Sequence, residues 1–534
     1  MEGEKMKVEL LLVAGKIILS ILVGGFLVLF LYLYKLLILR PKWIRSKLEK
    51  QGIRGPPPSF LLGNISGIKR LQLKVQSTAT QTTDPQNHHE DLHVASICHQ
   101  WPSRIFPHIE EWRNEYGPVF VYGLAHMQQL CVTDLELLKE LRLCTSLTLG
   151  IPSITSKILG PLLGQGLTSS NGSIWAHQRN TIAPELFGSK VKGMMNLIVE
   201  STTSMLRTWE SEIQSQGGTA EIRVDEHLRN LSGDIIARAC FQSNYCEGEE
   251  IFSRLRTLKK VLSKRLIGGE ALIRWLPTKE NREIWRLEKE IESMILKVVK
   301  QRREASYDQK DLLQMILEGA ETSAENGLSH KKFIVDNCKT IYIAGHETTA
   351  ASVAWSLMLL ALHPDWQARV RAEVLEICGD KPLHADMLPS MKVLTTVIQE
   401  SLRLYPPASL LGREAFETIS FKNIVIPNGV VLLVPISYLH QNPDIWGPDA
   451  HKFNPERFAN GVLNACNAPH AYMPFGVGSR ICAGQHLAIM ELKVILSLIL
   501  SKFCFSLSPA YRHSPSYKII TEPEHGLILR MRRM

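Results

Sequence analysis

The sequence predicts a mainly α chain with small β-sheets, in which one large helical domain follows an N-terminal transmembrane helix. Three observations carry that reading. Residues 17–34, IILSILVGGFLVLFLYLY, hold no charge over eighteen positions. Helical periodicity recurs over residues 106–116, 190–214, 282–303, 332–362 and 364–378, with apolar residues returning every three or four positions. Strand signals are few, and no Pro/Gly/Ser linker divides the middle of the chain. A body of about 480 residues therefore reads as one domain rather than three small ones.

The apolar stretch spans roughly 27 Å at about 1.5 Å per residue, close to the hydrocarbon thickness of a bilayer. It exceeds a typical signal h-region, and no small-residue cleavage site follows it. Lys35, Arg40, Lys42, Arg45, Lys47 and Lys50 follow it, against Lys5, Lys7 and Lys16 before it; the positive-inside bias then places the bulk of the chain on the cytosolic side. The same residues explain the net charge. The chain has 61 Lys and Arg against 52 Asp and Glu, a net +9. Residues 1–54 hold ten basic and four acidic residues, and Arg530, Arg532 and Arg533 end the chain, which leaves 48 of each sign between. The body is formally neutral, so a nucleic-acid partner loses its support. The excess charge is suited to anionic headgroups at the anchor.

Gly55-Pro56-Pro57-Pro58 cannot continue a helix and reads as a stiff spacer. The expected division is a membrane anchor over 1–40, a basic, proline-rich hinge over 41–60 and a catalytic body over 61–534. Residues 76–99 are polar and aperiodic and read as a surface insertion, its His88-His89 pair solvated rather than metal-binding. Three sequons begin at Asn64, Asn171 and Asn230; a cytosolic body leaves them unused. Within the body, residues 119–132 read as a short sheet. Residues 424–436 read as a hairpin, two β-rich runs flanking Pro427-Asn428-Gly429.

Composition narrows the chemistry. Hydrophobic residues make up 45% and charged residues 21%, which excludes general disorder, collagen-like repeats and a small disulfide scaffold. The ten cysteines include no C-x-x-C and fit a reduced compartment. Neither a dinucleotide G-x-G-x-x-G nor a phosphate-binding G-x-x-x-x-G-K-[ST] is present. His346-Glu347 opens an H-E-x-x-H pattern, but the fifth position is Ala350, so the two-histidine zinc face does not exist.

Two segments remain as site candidates. The long apolar helix over 333–362 holds Ala344-Gly345-His346-Glu347-Thr348-Thr349 at its centre, where unpaired polar groups cost on the order of 1–3 kcal/mol each. Phe475-Gly476-Val477-Gly478-Ser479-Arg480-Ile481-Cys482-Ala483-Gly484 is a glycine-rich loop leading into an apolar helix. Helix N–H groups and Arg480 favour a thiolate at Cys482, as a nucleophile, a redox sensor or a metal ligand.

The same loop matches F-x-x-G-x-R-x-C-x-G at Phe475, Gly478, Arg480, Cys482 and Gly484, and so resembles the haem-binding signature of the cytochrome P450 superfamily. Four more motifs of that superfamily follow its order. Trp175-Ala176-His177-Gln178-Arg179 resembles its W-x-x-x-R helix, and residues 344–349 its oxygen-activating helix. Glu400-Ser401-Leu402-Arg403 resembles its E-x-x-R, and Phe453-Asn454-Pro455-Glu456-Arg457-Phe458 its P-E-R-F segment. The resemblance implies the cytochrome P450 fold and haem b with Cys482 as thiolate ligand of the iron. It further implies Gly345, Glu347 and Thr348 as catalytic residues, the gap at Gly345 admitting O₂ and Thr348 and Glu347 relaying protons. Trp175, Arg179, Arg413 and Arg480 would bind the haem propionates, and Glu400, Arg403 and Arg457 would form a structural trio behind the haem. Thr348 argues against the relatives that rearrange peroxides without O₂.

Because no flavin or nicotinamide site is present, electrons are expected from a separate NADPH-dependent reductase docking on the face nearest Cys482. The anchor and proline spacer resemble the microsomal members of the endoplasmic reticulum. Residues 175–194 resemble a plant family that oxidises gibberellins and ent-kaurenoid acids, which implies a diterpenoid acid as substrate. The alternative is C-23 oxidation of pentacyclic triterpenoid acids, and outside catalysis a membrane-anchored haem protein without turnover. By family position, the pocket is expected to draw on residues 147–167, Ala344, 408–411 and 524–527.

Overall fold

The computed structural model describes residues 2–81, 97–241, 245–268, 276–304, 311–379 and 381–534. His88-His89, and all but the ends of the 76–99 segment, lie outside the described residues. The periodic segments fold as helices Pro107–Tyr116, Met195–Ser215, Lys279–Glu304, His330–Leu362 and Pro364–Cys378; residues 190–193 belong to a separate short helix, Gly188–Gly193, ended at Met194.

Helix Glu2–Tyr34 is long and apolar enough to cross a membrane, and its described side chains are exposed throughout. A π-helical turn, Lys35–Leu39, carries it into helix Arg40–Glu49. There Ile44 and Leu48 are buried in a cluster with Val121, Leu130 and Leu432. Arg40 donates to Asn428 Oδ1 at 2.9 Å, Arg45 to the Gly55 carbonyl at 2.6 Å and Gln51 to the Val425 carbonyl at 2.9 Å. A Cβ on Gly55 would collide with the Val121 carbonyl, and Asn64 donates to the carbonyls of Pro56 and Pro57. The stretch expected as a basic, proline-rich hinge and stiff spacer packs on the body, its apolar residues covering a sheet. Asn64, a sequon by pattern, is a buried structural residue.

That sheet has five strands in the order β1-β2-β8-β5-β3: β1 (Val119–Leu124), β2 (Met127–Val132), β8 (Val431–Val434), β5 (Leu411–Ala415) and β3 (Leu149–Gly150). Strands β1 and β2 pair antiparallel over 119–132, the stretch expected as a short sheet, and β2 runs parallel to β8. A second sheet orders β4 (Thr219–Arg223), β12 (Ile528–Arg533) and β9 (Phe503–Leu507), and β10 (Pro515–Lys518) pairs with β11 (Ile520–Pro523). The expected hairpin over 424–436 does not form. The turn is present, with Val430 N–H bonded to the Pro427 carbonyl, but its two arms join different sheets. Strand β7 (Ile424–Ile426) pairs back with β6 (Ile419–Phe421), while β8 pairs with β5 and β2. Gly429 N–H goes to the Ala415 carbonyl, so the turn is anchored to the neighbouring strand and its arms diverge.

Helix His330–Leu362 is the axis of the main core. It is buried on all sides over most of its 33 residues, as an all-round apolar sequence requires. Helices Val224–Phe241, Leu312–Glu321, Lys392–Leu404 and Gln485–Lys502 pack around it. Helix Lys392–Leu404 presents Glu400 and Arg403, three apart on one face. Both are fully buried and joined by two 2.7 Å hydrogen bonds. The remaining Arg403 donors reach the carbonyls of His440, Ala450 and Lys452. Arg457 adds a longer contact to Glu400 at 3.4 Å and pairs with Asp449. This trio ties residues 440–457 to the helical core.

Breaking a buried pair on one side leaves an uncompensated charge, so Arg403→Ala is expected to cost about 3–5 kcal/mol, read by chemical denaturation of the detergent-solubilised chain. His440 lies against the same pair. Its Nδ1–H donates to the Arg403 carbonyl and its Nε2 accepts from Met473 N–H. Burial, then the Arg403 charge, holds its pKa at about 3. The unfolded chain takes up a proton at this residue below about pH 6.5 that the folded chain refuses. Stability should therefore fall by about 2 kcal/mol between pH 6.5 and 5. Denaturation of His440→Asn at both pH values should show a correspondingly smaller fall.

Candidate active site

Cys482 sits at the end of a loop built by its glycines. Gly476 and Gly478 take positive φ, 76° and 70°, which other residues adopt only with strain. Their turns bring Cys482 N–H to the Phe475 carbonyl at 2.9 Å. Gly478 packs against the carbonyls of Leu141, Arg142 and Cys144 and lies behind the loop. Gly484 precedes helix Gln485–Lys502, and a Cβ there would meet nothing within 4 Å. Cys482 is exposed on its cavity side. Burial by the surrounding protein pushes its pKa up, while the Gly484 N–H and the Arg179 charge pull it down. Among the nine cysteines whose side chains are described, all are free.

The accessible side is a cavity of about 370 Å³. Of the sequence-predicted residues, Trp175, Arg179, Gly345, Thr348, Arg413, Phe475, Arg480, Cys482 and Gly484 all line it; Glu347 and Gly478 do not. Its apolar wall includes Ile151, Leu167, Ile182, Ile236, Leu410 and Leu411. Residues 524–527, expected in the pocket, are pinned elsewhere: Leu527 N–H bonds Asp225 Oδ1 and its carbonyl accepts from Val224 N–H.

Three guanidinium groups border the cavity. Arg179 donates to the Ile481 carbonyl at 2.8 Å, joining helix Gly172–Ile182 to the cysteine loop. Arg480 donates to the Ser170 carbonyl and to Asn171 Oδ1 and lies over the Trp175 ring at 4.4 Å. Arg413, on β5, is buried and, among the described residues, donates only to its neighbouring Gly412 carbonyl. Burial lowers both Arg413 and Arg480 to about 10, and the Arg413 charge adds to the effect on Arg480. Among the described residues no carboxylate stands within ion-pair distance of any of the three. Two neighbouring cations, one buried and one half-buried, a third nearby, one thiol and apolar walls form a donor set that suits haem. The sulfur matches its iron, the guanidinium groups its two carboxylates, and the apolar walls its ring.

The central helix passes the cavity with Ala344 and Thr348 one turn apart on the accessible face. The Thr348 hydroxyl donates to the Ala344 carbonyl at 2.7 Å, which leaves its oxygen free to accept. Gly345 is a packing position as well, since a Cβ there would collide with Ile236 on helix Val224–Phe241. The Glu347 carboxylate turns away from the cavity into a buried cluster with Lys259, Glu522 and His346.

Sequence reasoning missed three site residues. Asn171, read only as a sequon, holds Arg480 and bonds both polar backbone groups of Ile151. Glu491, nine positions after Cys482 on the helix the loop opens, lines the cavity. Burial pushes its pKa well up, against the pull of a side-chain contact from Thr349. Lys259 had no motif around it. Only Glu491 carried a local signal, a lone acid in an apolar helix.

The cytochrome P450 family model matches residues 93–529. Cytochrome P450 714C2 of Oryza sativa subsp. japonica is 47% identical over 511 residues, covering 95% of this chain and 96% of that protein. Cytochrome P450 714A2 of Arabidopsis thaliana is 43% identical over 501 residues, covering 91% and 93%. Cytochrome P450 714B3 of Zea mays is 41% identical over 522 residues, covering 98% and 97%. The chain belongs to the cytochrome P450 family, haem-thiolate monooxygenases supplied with electrons by a redox partner, and groups there with the 714 relatives of plants.

Proposed function

We propose that this monooxygenase oxidises a gibberellin or ent-kaurenoid diterpenoid acid. The observation that carries the reading is the opening of the Cys482 sulfur and the Thr348 hydroxyl into one apolar cavity. A rigid fused-ring acid complements such walls at low entropic cost, and the resemblance of residues 175–194 to the plant diterpenoid oxidases supports it. Haem, when bound, supplies the iron at which O₂ is activated, and thiolate ligation favours O–O cleavage.

The chain's own residues have separable tasks. Cys482 would give the thiolate ligand, and Phe475, Gly478 and Gly484 shape its loop. Arg179, Arg413 and Arg480, with Trp175 beneath Arg480, would hold the two propionates. Thr348 Oγ1 accepts a hydrogen bond from the cavity and Glu347 supplies the proton it relays, while Gly345 keeps the helix clear of Ile236 beside the oxygen site. The anchor over 1–40 and the basic, proline-rich segment over 41–60 hold the catalytic body, 61–534, on the cytosolic face of the endoplasmic reticulum. There an NADPH-dependent reductase docks nearest Cys482; the ten basic residues within 1–54 support that orientation.

A reduced carbon-monoxide difference spectrum should show the red-shifted thiolate Soret band, lost in Cys482→Ala and kept in Cys504→Ala. Thr348→Ala should keep the band yet divert about tenfold more reducing equivalents to peroxide, measured as product per NADPH consumed. In yeast expressing a plant reductase, ent-kaurenoic acid or gibberellins should be oxidised, with products read by mass spectrometry. Oxidation of oleanolic-type triterpenoid acids alone would overturn the diterpenoid reading.

A further inference from the structure

Three aromatic rings stack behind the cavity wall. The Tyr405 ring lies 4.2 Å from that of Trp355 and 6.1 Å from that of Trp101, centroid to centroid, each pair inclined by only 14°. All three are fully buried. Trp355 stands one turn along the central helix from Ser352, and Tyr405 two residues before Pro407; Ser352 and Pro407 both line the cavity. The Tyr405 hydroxyl meets two histidines, His99 Nδ1 at 2.6 Å and His513 Nε2 at 3.2 Å. Tyr511 Oη stands 2.9 Å from His513 Nδ1. Hydroxyl donors make the shorter bonds, so the Tyr405 O–H donates to His99 Nδ1, and His513 Nε2–H donates to the Tyr405 oxygen. His513 Nδ1 then accepts from the Tyr511 hydroxyl, and each bond holds one proton. A phenylalanine among apolar residues would fill the same space without taking two imidazoles out of water, so packing alone does not account for the cluster.

We propose that Tyr405 is a redox-active tyrosine that drains oxidising equivalents from the haem site when no substrate takes them, with Trp355 as its relay and His99 as its proton acceptor. Haem oxidised by peroxide takes one electron from Trp355, and Tyr405 replaces it. The phenolic proton moves to His99 Nδ1 in the same step, which leaves a neutral tyrosyl radical and an imidazolium. A thiol of the reduced compartment returns one electron, becoming a thiyl radical and losing its proton to water, and the His99 proton goes back to the phenolic oxygen. Cys98, exposed and next to His99, marks where the cluster meets the surface. Burial, then the charge of His513, holds the His99 pKa at about 3, and burial holds that of His513 at about 4. Both rings are therefore neutral at pH 7. Burial also raises the Tyr405 phenol well above its ordinary range, so it parts with its proton only on oxidation, which makes it a far stronger acid. A base held as low as His99 takes the proton from the oxidised phenol alone and returns it once the electron is back. The other titratable groups facing the pair are His363, Arg403 and His451 at His99, and Arg104 at His513. This protection is independent of which acid the enzyme oxidises.

The test uses the full-length haem-loaded enzyme without substrate and hydrogen peroxide as the oxidant. Freeze-quench electron paramagnetic resonance should show a tyrosyl radical in the wild type. Tyr405→Phe keeps the stacked ring and removes only the hydroxyl; it should cut that signal about tenfold and make the haem bleach about threefold faster. His99→Gln removes the base and should lower the signal by about the same factor. Trp355→Phe leaves a ring that does not relay, and should slow the rise of the radical about threefold or more. The amplitude of the carbon-monoxide band should stay at the wild-type level in all three variants. Absence of the radical in the wild type would overturn the inference, as would a full signal in Tyr405→Phe. Signal losses that only track the carbon-monoxide band, or a lost signal with bleaching unchanged, would overturn it equally.

Discussion

The fold's active half depends on one fully buried ion pair. Glu400 and Arg403 meet with no solvent access, and the bonds left over on Arg403 and Glu400 fasten His440, Ala450, Lys452 and Asn454, all far along the chain. Those residues lie in a stretch of short turns and single helical turns rather than long elements, so the stretch has little internal structure to fix its path. The pair supplies that path. From it the chain runs through Tyr472, whose ring stacks on His440 and whose hydroxyl bonds the Gln399 carbonyl, to the loop that presents Cys482. Since an apolar substitute would serve stability as well, what the pair contributes is position: the sulfur stands where a helix three turns long places a guanidinium.

A second constraint is electrostatic and comes from the cavity. Arg413 and Arg480 raise each other's cost of staying charged, and helix Val224–Phe241 closes the distal wall with Ile236 against Gly345. The polypeptide thus tolerates concentrated positive charge on one border and, on another, a buried acid, Glu491, with no ion-pair partner among the described residues. Both are unfavourable for the protein alone, and a dianionic ring with a metal centre offsets the first. Binding and folding are linked in proportion to that compensation.

How much was legible follows from range. The cysteine loop, the E-x-x-R helix and the central helix are local patterns, in which three or four positions of spacing fix which side chains share a face, and the structure has them on those faces. What spacing does not encode is the partner across a fold. Lys259 finds Glu522 across 263 positions, and Asn171 finds Arg480 across 309. The turn at Pro427 shows the same limit: its residues specify the bend, while the sheets available on either side decide whether the arms pair. Glu347 is an intermediate case. Its motif is plain, and only the lysine of another helix decides which way its carboxylate turns.

The continuity of the N-terminal helix into the buried residues Ile44 and Leu48 has a mechanical consequence. A flexible tether would let the body tumble above the bilayer, sampling every orientation of its surface. Here the long apolar helix runs without a break into a segment clamped to the five-stranded sheet. Placed across a bilayer, such a helix would make its own tilt, which bilayer thickness biases, the tilt of the whole body. A change in lipid composition would then reorient the catalytic unit without touching any residue of its site.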